Sequence, residues 1–368
     1  MLHIVCDKQK LSDGISIVSK AVSSKSTMDI LECIVIDIFD NKIRLIANDL
    51  QLGIETIIDG NIVEGGSVAV NAKVFSEIIR KLPSDEVLIH VDENLTMNIK
   101  CGKSKFAIPV RETDEVPFLP ETVRNNNVKI SQFTLKEIIR QTVFSISDNE
   151  DTKVMTGELF EIHGSMLRIA SLDGHRISIR KVELKEAYDD VSVIIPGKTL
   201  SEISKILNGG IDDIVSIYFT DKHALFEFDD TIVLSRLIEG DYYDIDRMLS
   251  NNFETKLTVN KREMLECIDR TTLLIKESEK QPVVIDITDD MMQLKINSKV
   301  GSMDEDITIT KEGKDILIGF NPRFLIDALR VIDDDDVTLY FVNAKAPCFI
   351  RDDNESYIYL ILPVNISA

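Results

Sequence analysis

Six stretches of this sequence carry an apolar residue followed by mostly apolar or small residues at i+3, i+4 and i+7. That spacing gives a helix one apolar face. Their anchors are Leu11, Phe75, Leu135, Leu200, Met264 and Leu325, separated by 64, 60, 65, 64 and 61 residues. A period this regular in a chain otherwise rich in strand patterns means repeated supersecondary units, each too small to bury its core alone. Strand patterns follow every other helix: VLIHVDENLTMNIKCGKSKFAIPV from Val87, VSIYFTDKHALFEFDDTIVLSRLI from Val215, and VTLYFVNAKAPCFIRDDNESYIYLILP from Val337. These begin 128 and 122 residues apart, so six half-units group into three repeats.

The segments between them, such as KIRLIANDLQLGIETII and GSVAVNA, alternate apolar and polar residues over strand lengths and turn at Asn, Asp and Gly. Strands outnumber helices and run in consecutive hairpins, which disfavours a doubly wound parallel fold. The expected fold class is α+β, with three similar domains of two helices packed on antiparallel sheets. Polar linkers RETDEVPFLPETVRNNN and IEGDYYDIDRMLSNN place the domains at 1–126, 127–252 and 253–368. With 44% hydrophobic and 29% charged residues, each domain can bury a core without disulfides or metal.

The net charge of −21 by itself argues against a nucleic-acid partner, but its distribution is uneven. The six helical windows carry about +6 between them, which leaves about −27 on the strands and loops. Lys73, Arg80, Lys81, Lys136, Arg140, Lys198, Lys205, Arg323 and Arg330 decorate the helices. If the helices lined one surface, it would be mildly basic inside an acidic body, suited to weak contact with phosphates without sequence readout. A plain preference of Lys and Arg for helix surfaces explains the same pattern.

No catalytic constellation is visible. GKS at Gly102–Ser104 resembles the end of a phosphate-binding loop, but Met97 stands where the first glycine is required, and the segment reads as a hairpin. The five histidines have no metal-ligand spacing, and neither GxSxG nor HExxH occurs. The run Asp333–Asp336 follows a helix and leads into the strand VTLYF, so it reads as a solvated turn rather than a metal site. The expectation is a non-enzyme without cofactor or metal. Five scattered cysteines fit a reducing cytoplasm, and no signal peptide or membrane span is visible, so the expected location is cytoplasmic with no membrane contact.

Several strings together resemble the bacterial DNA polymerase III beta subunit, or sliding clamp, family over essentially the whole chain. The most specific is SLDGHRIS at Ser171–Ser178, preceded by MLRIAS. Beside it stand TVFSISDNEDTKVMTGELFEI from Thr142, VIIPGKTLSEISKIL from Val193, LIEGDYYDID from Leu237 and YLILPVNI from Tyr359. The resemblance implies three domains per chain, paired head to tail as a homodimer in a ring around double-stranded DNA. Such a ring slides without sequence preference and tethers the replicative polymerase, so its inner surface need only attract weakly. Implied partners also include the clamp loader, repair polymerases and mismatch-repair proteins, held through linear peptides.

The implied peptide pocket takes Met155, Leu172, Gly174, His175, Arg176 and Ile177 from the central domain. Tyr243, Arg247 and Met248 come from the linker, and Leu360, Leu362, Pro363 and Val364 from the C-terminal strand. An apolar slot with a few orienting polar groups suits exchangeable partners. Implied DNA contacts are Lys73, Arg80, Lys136, Arg140, Lys198 and Lys205 on helices, with Asn149 and Lys153 from a loop. Phe106, Leu273 and Leu274 fall where the resemblance places the dimer interface, although core positions would suit them equally. Tyr243 stands where the family usually has Pro, and Asn365 where it usually has Arg, which leaves peptide preference open. A metal-dependent nuclease and a repeat adaptor that binds only proteins remain as alternatives.

Overall fold

The computed structural model describes residues 2–23, 26–83, 86–114, 116, 124, 127–275 and 281–366. The expected domain boundary at Asn126 lies outside them. All six expected helices form: α1 (Lys8–Val18), α2 (Ala72–Lys81), α3 (Gln132–Thr142), α4 (Gly197–Ile206), α5 (Lys261–Thr272) and α6 (Pro322–Val331). Each anchor residue, from Leu11 to Leu325, is fully buried. Local chemistry sets the helix starts. The side chains of Asp7, Asn71, Asn260 and Asn321 each accept a hydrogen bond from a first-turn backbone N–H, and Pro322 fills a position that needs no donor.

The chain forms two compact units, residues 1–134 with 202–237, and residues 135–201 with 238–368. All pairing between named strands is antiparallel. In the first unit a five-stranded sheet runs β5 (Asn61–Glu64), β1 (His3–Asp7), β7 (Glu86–Val91), β8 (Thr96–Cys101), β9 (Ser104–Pro109). An eight-stranded sheet runs β10 (Val128–Ser131), β13 (Ile214–Phe219), β14 (His223–Phe228), β15 (Thr231–Arg236), β4 (Leu52–Ile58), β3 (Lys42–Asn48), β2 (Cys33–Phe39), β6 (Ser67–Asn71). Its two halves join where β15 pairs with β4, Leu234 opposite Gly53, and Thr56 and Thr231 share a hydroxyl hydrogen bond of 2.8 Å.

In the second unit a seven-stranded sheet runs β11 (Gly157–Leu172), β12 (Arg176–Pro196), β24 (Tyr357–Ile361), β23 (Cys348–Arg351), β22 (Asp336–Phe341), β16 (Thr255–Asn260), β20 (Thr310–Gly313). A four-stranded sheet runs β19 (Ser302–Thr308), β18 (Met291–Asn297), β17 (Val283–Thr288), β21 (Ile316–Phe320). Here the halves join through β12 and β24, Ile177 opposite Leu360. Met264, Ile268, Leu325 and Leu329 of α5 and α6 close the main core against Ile285, Leu294 and Leu339. A second core beneath the β12–β24 junction holds Leu172, Ile177, Ile245 and Leu360. Gly102–Ser104 lies at the β8–β9 hairpin, and the exposed run Asp333–Asp336 turns after α6 and opens β22 at Asp336, as their sequences suggest.

Candidate peptide pocket and charged surfaces

The β11–β12 turn builds one wall of a cavity in the second unit. Asp173 folds it, its Oδ1 accepting the backbone N–H groups of His175 at 2.9 Å and Arg176 at 3.1 Å. Gly174 sits at φ +87°, a conformation that side chains disfavour. Beyond the turn, the backbone N–H of Leu362 reaches the carbonyl of His175 at 2.9 Å, which extends the β12–β24 contact past Ile361.

The cavity measures about 410 Å³ and is lined by Met155, Leu172, Gly174, His175, Arg176, Ile177, Tyr243, Met248, Pro347, Leu360 and Leu362. Leu172, Ile177 and Leu360 are buried and form its apolar floor, whereas Tyr243, Met248 and Leu362 stand exposed at the rim. Three residues expected in the lining are not there. Arg247 turns outward and pairs with Asp244 at 2.8 Å, its side chain 87% exposed. Pro363 and Val364 have left the strand, and the N–H of Val364 bonds the Gly319 carbonyl on β21 at 2.8 Å. Pro347, just before β23, is the lining residue that sequence reasoning missed. Its sequence position, beside the apolar string CFI in the strand pattern that begins at Val337, carries no sign of a lining role.

Arg176 is a brace rather than a free edge cation. Its guanidinium reaches Asp173 at 2.9 Å, Asp327 on α6 at 2.6 Å and the Phe144 carbonyl at 2.6 Å, and it lies 4.5 Å from the Phe324 ring centre. The His175 ring stacks on the same Phe324 at 6.1 Å. With its donors committed inward, Arg176 fixes the turn against α6.

Two of the candidate phosphate-binding cations sit beside acids. Arg140 is engaged by Glu137 and by Asp333 at 2.9 Å, and Lys205 pairs with Glu202 at 2.8 Å, so their charges are locally compensated. Lys73, Arg80, Lys153 and Lys198 are exposed, Lys136 is half-buried, and the Asn149 side chain caps a 3-10 segment by accepting the Asp151 N–H. Phe106 on β9 is 40% exposed and Leu273 is 79% exposed, with Leu274 half-buried. Phe106 and Leu273 are therefore surface rather than core residues.

Residues 2–120, 129–244 and 246–365 match, in order, the N-terminal, central and C-terminal domain families of the DNA polymerase III beta subunit. The beta sliding clamp of Staphylococcus epidermidis is 34% identical over 356 residues, covering 94% of each chain. The DNA polymerase III beta subunit structure from Eubacterium rectale is 57% identical, with a TM-score of 0.96 over 100% of both chains. The Bacillus subtilis DNA polymerase sliding clamp structure is 32% identical, also with a TM-score of 0.96 over 100% of both chains. The chain belongs to the DNA polymerase III beta subunit family, the beta sliding clamps.

Proposed function

We propose that this sliding clamp, a non-catalytic processivity subunit, works as a homodimeric ring that encloses duplex DNA and captures its partners through the Leu172–Leu360 pocket. The observation that carries the ring is an unfinished pattern in the sheets. Three hairpins match in register, each with a pair that encloses four residues: Asn48 opposite Gly53, Leu172 opposite Ile177, and Asn297 opposite Ser302. The second strand of the first two, β4 and β12, pairs with β15 and β24 of the following repeat. The second strand of the third, β19, is a sheet edge, and so is β9, the counterpart of β15 and β24. Exposed edges demand a partner or protection.

Carrying the β4–β15 register over sets Met303 of one copy opposite Phe106 of the other, and Asp304 opposite Lys105. The charges agree, with Lys100, Lys103 and Lys105 around β9 and Asp304, Glu305 and Asp306 on β19. Leu273 and Leu274 would be covered at the same junction. The mass in solution tests this, because a dimer of the 41.5 kDa chain is expected near 83 kDa. A monomer at micromolar concentration would overturn it.

Inside the ring, the exposed helix cations with Lys153 would attract phosphates weakly and without sequence preference. The domain division at 1–126, 127–252 and 253–368 belongs to this reading. The pocket's buried floor and its rim of Tyr243, Met248 and Leu362 suit two or three apolar anchors of a linear peptide. The replicative polymerase, clamp loader, repair polymerases and mismatch-repair proteins are the partners it would serve, in the cytoplasm. Among the described residues no helix is long and apolar enough to cross a membrane.

A further inference from the structure

We infer that Arg168, which does not line the pocket, is a positioning residue for peptide binding, because it ties down the linker that forms one pocket wall; this rests on the pocket reading above. β11 bends at Gly164, which has φ +60°, and its register to β12 jumps on either side of that residue. The bend brings the Arg168 Nε to within 2.6 Å of Glu161. The remaining edge of the guanidinium grips Asp246 of the linker, Nη1 at 2.6 Å and Nη2 at 3.4 Å from its two carboxylate oxygens. That hydrogen bond holds the Asp246 carboxyl below its usual range. Asp246 lies between Tyr243 and Met248, which supply the linker's share of the pocket lining.

The internal repeat shows why the arginine reaches outward. Its counterpart 124 residues earlier, Arg44, pairs with Asp37 at 2.6 Å and then with Glu55 at 3.4 Å, so it is satisfied within its own sheet. Position 179, the counterpart of Glu55, is Ile. Arg168 therefore lacks the second acid on the sheet and takes one from the linker. Apolar contact and a hydrogen bond fasten the linker as well: Ile245 is buried, and Tyr242 donates its hydroxyl to the Gly157 carbonyl at 3.3 Å. Arg168 adds direction to that contact, since a two-pronged guanidinium–carboxylate contact fixes orientation as well as distance.

Asp246→Asn is the cleaner probe, because Arg168 keeps Glu161 and no buried charge is left alone. The test titrates a fluorescent, capped peptide with Leu and Phe anchors and no charged side chain into the full-length wild type, Asp246→Asn and Asp246→Glu. Asp246→Asn should bind about three- to tenfold more weakly, and Asp246→Glu should recover most of the loss. Raising salt should weaken the wild type toward the Asp246→Asn value and leave Asp246→Asn unchanged, a response that general loss of stability would not give. Equal affinity of wild type and Asp246→Asn would overturn the role of Arg168 and leave the pocket standing. A wild type that does not bind the peptide would overturn the pocket reading and this inference together.

Discussion

Glu158 offers the sharpest test of the energetics. It is fully buried on β11; one carboxylate oxygen accepts the Thr142 hydroxyl at 2.8 Å, and the other has no hydrogen-bond partner among the described residues. Burial pushes its pKa up from 4.5 to about 8. In the unfolded chain the group titrates near its ordinary value, so its folded pKa is the higher one. Its contribution to stability is then intact below about pH 4.5, is lost as pH rises toward 8, and stays lost above that. At about 1.4 kcal/mol per pKa unit, the loss is on the order of 3 kcal/mol at pH 7 and 5 kcal/mol above pH 8. Glu158→Gln keeps the shape and the acceptor for Thr142 but removes the titration. One unpaired amide N–H would return roughly 1–2 kcal/mol of that gain. The variant should therefore match or fall slightly below the wild type at pH 5 and exceed it at pH 8. Urea-unfolding midpoints of both proteins at pH 5, 6.5 and 8 measure this directly. Parallel pH profiles would refute the reasoning, since they would mean that Glu158 is ionised in the folded protein.

Three further outcomes are expected. Replacing Leu273 and Leu274 together with Asp should give folded monomers by sedimentation, because two charges placed in a closed interface cost several kcal/mol. Leu362→Ala removes one rim side chain and should weaken peptide binding by about 1–2 kcal/mol, roughly tenfold, in a fluorescence titration, while the dimer persists. Arg80→Ala with Lys73→Ala should lower affinity for duplex DNA equally across sequences and reduce its salt dependence, whereas Lys205→Ala, already paired with Glu202, should change little in the same binding assay.

How much of this protein its sequence determined depends on the range of the interactions concerned. Helix periodicity, Asn and Asp caps and hairpin turns act over a few residues, so all six helices and the exposed Asp333–Asp336 turn were legible from local pattern. The repeat was legible for the same reason, since each half-unit encodes the same short-range choices. Tertiary structure decided which strands meet. Nothing local tells Ser178 that its neighbour is Tyr359, or Gly53 that its neighbour is Leu234, because those pairs are more than 180 residues apart. The pocket shows both regimes. Leu172, Gly174 and Ile177 come from one readable turn, whereas Pro347 joins them only because β23 and β24 are brought alongside it. Charge is the quantity the sequence described least well. Arg140 and Lys205 count as cations in a window sum, yet Asp333 lies 193 residues from Arg140 and neutralises it in space. Coulomb energy follows distance through the fold, and only the fold sets that distance.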